Sequence, residues 1–346
     1  MRAKCFTRHA AADDREMCIT LNGTFEPTFY TPAIMRPTYR DEPCRTALNR
    51  VRGMGFKWSL NPYMGCVHQC TFCFVRAFEK MADRPPDGRY GTSIRVKTNI
   101  VEQLRKELTR KSWKREQVVV GTATDPYQPA EGHFRLTRGS IQALADAETP
   151  IGLITRGPLI VRDVDVLAHA SHRAKVGVTF SIPTLDPEIW RKTEPGTAPP
   201  RQRLRAIRTL IDAGIDASVG MAPILPGLSD DAAKMADVVK AARDAGATAV
   251  WTNVLYLKPG TRDHFLENLA RDWPELLPAY EQLYDGRAYV AKDVVEPVKR
   301  QVRELAKRHG IGDRRPARPR PRPGTEDPAP LVPPGAEQLS LATAIR

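Results

Sequence analysis

No stretch of the sequence approaches the roughly 18 consecutive apolar residues that a membrane-spanning helix needs, and the N-terminus lacks the basic-then-apolar layout of a secretory signal. Both absences predict a cytoplasmic protein without membrane contact. Cysteine is scarce, six in 346 residues, and none occurs after Cys73. So few thiols in a chain of this size, three of them packed into eight residues, suit a reducing compartment and a metal better than a disulfide framework. Residues 1–45 lack any sustained hydrophobic period and read as an extended, weakly structured arm, in which Cys5, Cys18 and Cys44 are idle or buried thiols. The other end is short of apolar residues. "RRPARPRPRP" (314–323) and its proline-rich continuation cannot build a core and predict a disordered tail.

The remaining sequence is rich in β-branched and apolar runs, and with 41% hydrophobic and 27% charged residues it describes a globular protein. Six runs predict strands: "FKWSLNP" (56–62), "QVVVGTATD" (117–125), "PIGLITRG" (150–157), "KVGVTFSIP" (175–183), "DASVGMAPIL" (216–225) and "TAVWTNVLYL" (248–257). Helical spacing lies between them at 96–112, 135–147, 161–170, 199–213 and 230–245, and a last amphipathic helix follows at about 292–309. Alternation of strand and helix implies a parallel sheet, here a partial (β/α)6 TIM-like barrel over 51–310, with an N-terminal extension (1–50) and a tail (311–346). Chemistry in such folds sits at the carboxyl ends of the strands, where "NPYMGC", "GTATD", "TRG", "SIP", "APILPG" and "LYLKPG" fall. A formal net charge of +13 points to an anionic partner such as nucleic acid. Each basic run, for example "RKELTRKSWKRE" (105–116), also reads as the solvated face of a helix.

The sharpest signal is "NPYMGCVHQCTFCFVR" (61–76), with Cys66, Cys70 and Cys73 in CxxxCxxC spacing on one loop. Three thiolates on one loop suit three corners of an iron–sulfur cube, with the fourth iron open. The alternative is zinc with a distant fourth ligand such as His68 or Cys44, although zinc sites favour paired CxxC knuckles. His68 itself reads as a polar loop residue not bound to metal.

This motif, with Phe72 as the aromatic residue before the last cysteine, resembles the signature of the radical S-adenosylmethionine (SAM) superfamily. Over about 56–260, "GTATDPYQPAE" (121–131), "LITRG" (153–157), "SIPTLDPEIWRKTEP" (181–195) and "RLRAIRTLIDAGI" (203–215) are similar to the spore photoproduct lyase-like group. The resemblance implies a [4Fe–4S] cluster on the three cysteines, SAM chelating the open iron, an external electron donor of flavodoxin or ferredoxin type, and hydrogen abstraction by a 5′-deoxyadenosyl radical. It also suggests a SAM cradle. Thr124 and Asp125 would hydrogen-bond the methionine end, and Arg156 would offer a guanidinium fork to the carboxylate. Ser181 stands where the lyase has a serine near the cofactor, while Asn253 and Leu255 are candidates for the adenine pocket. Glu131 and Glu194 read as structural ion pairs in the barrel mouth.

Departures limit what carries over. The lyase's hydrogen-donating cysteine is matched by Thr122, and its radical-relaying tyrosines by Phe72 and Phe74, so its lesion-repair mechanism does not transfer unless Cys18 or Cys44 folds back into the mouth. The expected protein is a radical SAM enzyme acting on an unknown substrate, with nucleic acid a candidate. One alternative keeps the chemistry on a peptide or small metabolite, and another is a non-catalytic, zinc-stabilised nucleic-acid-binding protein. In the tail, Gln338, Leu339, Ser340 and Leu341 resemble a peptide that docks on the replication sliding clamp, but Ala342 stands where the aromatic residue belongs.

Overall fold

Val118–Val120 is buried throughout and has a parallel neighbour on each side, the environment of a strand covered on both faces of a parallel sheet. The computed structural model describes residues 37–81 and 84–312. Within them the strands are β1 (Thr38–Asp41), β2 (Leu48–Arg50), β3 (Trp58–Leu60), β4 (Tyr63–Met64), β5 (Ser93–Val96), β6 (Val118–Val120), β7 (Ile151–Thr155), β8 (Val176–Ser181), β9 (Asp216–Ile224) and β10 (Val250–Val254). The main sheet runs β10-β9-β8-β7-β6-β3-β2, with β3 and β6 to β10 parallel and β2 antiparallel at the edge. All six strand runs found in the sequence are therefore its parallel strands, arranged as an open barrel.

Helices α1 (Val75–Met81), α2 (Ile100–Leu108), α3 (Ala130–Phe134), α4 (Leu136–Asp146), α5 (Val164–Arg173), α6 (Pro187–Thr193), α7 (Pro200–Asp212), α8 (Ala232–Asp244), α9 (Thr261–Asp272), α10 (Leu277–Tyr284) and α11 (Lys292–Arg308) connect or cover the strands. Their ends follow local chemistry. Asp186 and Asp231 accept from the first free N–H groups of α6 and α8. Gly214 and Gly246 adopt φ of 76° and 81° beyond α7 and α8, which lets Ile215 and Ala247 donate back to Leu210 and Ala242 and turns the chain into the next strand. Helix α11 buries Val302, Leu305 and Ala306 and packs with β10 and α8.

The expected unstructured arm over 1–45 needs correction where the structure describes it. Residues 38–41 form β1, which joins β5 and β4 in a second sheet of order β1-β5-β4. Every β1 residue is exposed and β2 buries only Leu48, so neither shows a hydrophobic alternation to read. The helical stretch 96–112 likewise begins as strand β5 and becomes helix only at Ile100. Cys5, Cys18, and the tail residues Gln338, Leu339, Ser340 and Leu341 lie outside the described residues. Among the described residues no helix is long and apolar enough to cross a membrane.

What ties the N-terminal segment down is a clasp. The buried Glu107 carboxylate accepts from Ala47 N–H at 2.8 Å and Leu48 N–H at 2.9 Å, and Asn99 exchanges two hydrogen bonds with the Cys44 backbone. Glu107→Ala should lower unfolding stability by about 3 kcal/mol, because it strands two buried donors. A chemical denaturation midpoint equal to that of the wild type would show that the clasp contributes nothing.

Candidate metal centre and cofactor site

The loop Gly65–Phe74 leaves β4 and enters α1 at the carboxyl edge of the main sheet, and partners from other segments grip it along its length. Thr124 Oγ1 donates to the Gly65 carbonyl at 2.7 Å, and Gln128 Nε2 reaches the same oxygen at 3.2 Å. Gln128 Oε1 in turn accepts from Val67 N–H at 3.2 Å. The end of α6 and the turn after it hold the other side: Gly196 N–H donates to the His68 carbonyl at 3.0 Å, and Thr71 N–H to the Thr193 carbonyl at 2.9 Å. Thr261 Oγ1 closes the far end on the Cys73 carbonyl at 3.1 Å. Two glycines permit this closeness. A Cβ on Gly91, whose φ is 84°, would lie 2.3 Å from the Cys66 carbonyl oxygen, and one on Gly196 would lie 2.2 Å from that of Val67.

Asp125 is the hub beneath the loop. Its buried carboxylate accepts from Thr155 Oγ1 at 2.7 Å, Arg156 N–H at 2.6 Å and Tyr127 N–H at 2.9 Å, and faces His68 Nδ1 at 3.3 Å. One side chain thereby joins the ends of β6 and β7 to the cysteine loop. Burial alone would raise its pKa, but the charge and hydrogen bond of His68 and the other donors hold it down at about 2. For His68, burial opposes protonation and the negative charges of Cys66 and Asp125 outweigh it, giving about 10. His68, read from the sequence as a polar loop residue, is thus a buried partner of Asp125.

All three thiols lie together. Cys66 and Cys70 are buried and Cys73 half-buried. Burial pushes the Cys70 thiol well up against the pull of the Arg156 cation, and burial together with the Cys66 charge raises Cys73. Cys70 and Cys73 in this environment ionise readily only against a metal. Among the described residues, no three His, Cys, Asp or Glu side chains converge on a point that suits a single metal ion. Cys44 belongs to the main core instead, with Lys97 and Glu107 as its charged neighbours, so it neither completes a zinc site nor enters the mouth.

Around the thiols sit buried cations. Arg156 lies over the Phe72 ring at 5.6 Å and donates through Nε to Glu194 Oε2 at 3.1 Å and through Nη2 to the Ala222 carbonyl at 3.3 Å. Arg203 pairs with the same Glu194 oxygen at 2.7 Å, while Glu194 Oε1 is buried without a partner among the described residues. Glu131 likewise binds Arg162 and the Tyr63 hydroxyl, so both glutamates are the ion pairs expected. Arg76, buried on α1, covers Tyr90, whose phenolic oxygen is 3.8 Å from Cys73 Sγ.

Of the residues expected in a SAM cradle, Thr124 and Asp125 direct their hydrogen bonds to the loop and strand ends. Arg156 commits two of its nitrogens to the chain. Ser181 ends β8, Asn253 lies in β10, and the buried Leu255 follows it, its carbonyl accepting from Tyr284 at 2.8 Å. Thr122 Oγ1 accepts from Asn61 Nδ2 at 3.2 Å. Sequence reasoning missed Asn61, Arg76, Tyr90 and the pair Tyr256–Tyr289, which stacks at 5.4 Å with Tyr256 also 6.1 Å from Phe74. Asn61 and Arg76 lay within the quoted stretch 61–76 and Gln128 within "TDPYQPAE", while Tyr90, Tyr256 and Tyr289 had no signal of their own.

The Radical SAM superfamily model matches residues 60–239, a little over half of the chain, and the chain belongs to that superfamily. An uncharacterized protein of Mycobacterium tuberculosis is 39% identical over 300 residues, 86% of either chain. A Radical SAM Nalpha-GlyT isomerase from Pseudomonas phage M6 is 25% identical over 250 residues, 70% of this chain and 49% of its own. Spore photoproduct lyase with bound AdoMet and dinucleoside spore photoproduct superposes with a TM-score of 0.62 at 14% identity over 80% of each chain. The fold is that of the lyase, and the protein is a radical SAM enzyme. A non-catalytic zinc module is thereby set aside.

Gly196→Ala should cost about 2 kcal/mol, since the methyl group must displace the Val67 carbonyl or its own strand of chain. Thermal unfolding of the metal-free protein checks this, and an unshifted melting temperature would mean that the loop yields freely.

Proposed function

We propose that Cys66, Cys70 and Cys73 ligate one [4Fe–4S] cluster, that SAM binds beside it, and that the enzyme abstracts hydrogen from a nucleic-acid substrate. The observation that carries the reading is the grouping of three thiols, two buried and one half-buried, on a loop gripped by several segments, in a chain of this superfamily. The donor set fits the group: three thiolates leave one iron open, and the surrounding cations suit an anionic centre. When bound, such a cluster supplies an electron that splits SAM at its sulfonium and yields a 5′-deoxyadenosyl radical.

The chain's own residues position and seclude. Thr124, Gln128 and Asp125 fix the loop rather than touch SAM, a role different from the one expected for Thr124 and Asp125. Arg156 retains Nη1 for the methionine carboxylate, and Glu194 Oε1 is a buried acceptor for its ammonium group. Phe72 shields the Arg156 side of the loop, while Ser181, Asn253 and Leu255 line the strand ends that would take the nucleoside half. Electrons come from an external donor of ferredoxin or flavodoxin type. The nucleic-acid substrate is supported by the net charge of +13 and by the lyase, whose structure holds a dinucleoside. Thr122 and the phenylalanines at 72 and 74 imply a reaction other than the lyase's repair, since neither residue type donates a hydrogen atom readily.

Anaerobic reconstitution with reductant and SAM should release 5′-deoxyadenosine from the wild type and only background amounts from Cys70→Ala. Equal release from both would sink the mechanism, and a wild type holding one zinc and no inorganic sulfide would sink the metal centre. Deuterated oligonucleotides should pass deuterium into the 5′-deoxyadenosine and bind with a steep salt dependence. Transfer from deuterated peptides or small metabolites instead would reassign the substrate.

A further inference from the structure

Arg76 is 1% exposed, and a guanidinium taken out of water is costly unless a counter-charge meets it. Its Nη1 donates to the carbonyl oxygens of Pro86 and Asp87, each at 2.6 Å, but its Nε has no acceptor among the described residues. No carboxylate among them pairs with it. The Asp87 side chain is bound by Arg89 at 2.7 Å, and Glu79, the acid on the same helix, by Arg84 at 2.6 Å and Arg95 at 3.1 Å. Arg156, by contrast, has Glu194.

What Arg76 does face is the cysteine loop. Its backbone N–H donates to the Cys73 carbonyl at 3.2 Å, and its guanidinium lies 4.7 Å from the centre of the Tyr90 ring. The Tyr90 hydroxyl reaches to 3.8 Å from Cys73 Sγ, so the buried ring touches both the cation and the thiol. Among the described residues the Asp87 carboxylate is the acid that acts on Arg76, and Arg89 already pairs with it, so the charge that develops at Cys73 and Cys70 is the one left to balance the guanidinium.

We infer that the counter-charge of Arg76 is the anionic, thiolate-bound cluster, and that Arg76 is a positioning residue that favours the cluster's reduced state. The inference rests on the proposed ligation by Cys66, Cys70 and Cys73. A cluster held by thiolates gains one negative charge on taking an electron from the external donor, so a nearby buried cation stabilises the reduced form more than the oxidised one. The aromatic ring lowers the local dielectric and preserves that preference.

A reductive titration of the reconstituted full-length protein, followed by electron paramagnetic resonance, tests this in wild type, Arg76→Met and Arg76→Lys. Arg76→Met should load iron and sulfide yet show a reduced-to-oxidised ratio about tenfold lower at a given donor potential, which is about 59 mV for one electron. Arg76→Lys should stay within about twofold of the wild type. A role confined to holding the Pro86 and Asp87 carbonyls would not move the ratio. Arg76→Gln, neutral but still able to donate to those carbonyls, carries the same expectation as Arg76→Met should the latter fail to fold. Loaded neutral variants with the wild-type ratio would overturn the inference alone. A wild type that takes up no iron or sulfide would refute the metal centre and the inference together.

Discussion

The structure depends on hydrogen bonds that run from the strand ends into the cysteine loop. A short irregular loop has no ladder of its own to satisfy its backbone groups, so its conformation is set by whatever donors and acceptors surround it. Here they come from the segments after β6, β8 and β10, with Gln128 and Asp125 each serving several partners and Asp125 adding the end of β7. Parallel strands end side by side, and that places these segments around one loop. The sheet and the site are in this sense one construction: the register of β6, β7 and β8 determines where the thiols stand.

The second organising influence is charge in a dry setting. Asp125 and His68 neutralise one another, while Arg156 and Arg203 share a single glutamate. Together with Arg76, this surrounds the thiols with more buried positive charge than the nearby carboxylates match. Such an imbalance is unfavourable in an empty protein and favourable around an anionic centre, which connects the electrostatics of the fold to the group it is built to hold.

Much of this was legible in the sequence because its signals are periodic or tightly spaced. The valine triplet at 118–120, the glycines closing α7 and α8 and the CxxxCxxC loop each announce themselves within a few residues. The small sheet was not legible, since β1 is exposed on every residue and β4 is only two residues long. Nor were Arg76, Tyr90 and Asn61: Asn61 meets Thr122 from another strand end, and Arg76 and Tyr90 meet only through the irregular turn that follows α1, neither of which leaves a periodic signal. Thr124 and Asp125 show the intermediate case: the sequence pointed to the right place, and the fold adds bonds to the loop and strand ends that no local pattern announces.

Residues that clasp the loop are distinct from those at the ends of β8 and β10, and this separation has an evolutionary consequence. Mutations at the ends of β8 and β10 can alter what is recognised without removing a bond that holds the metal loop.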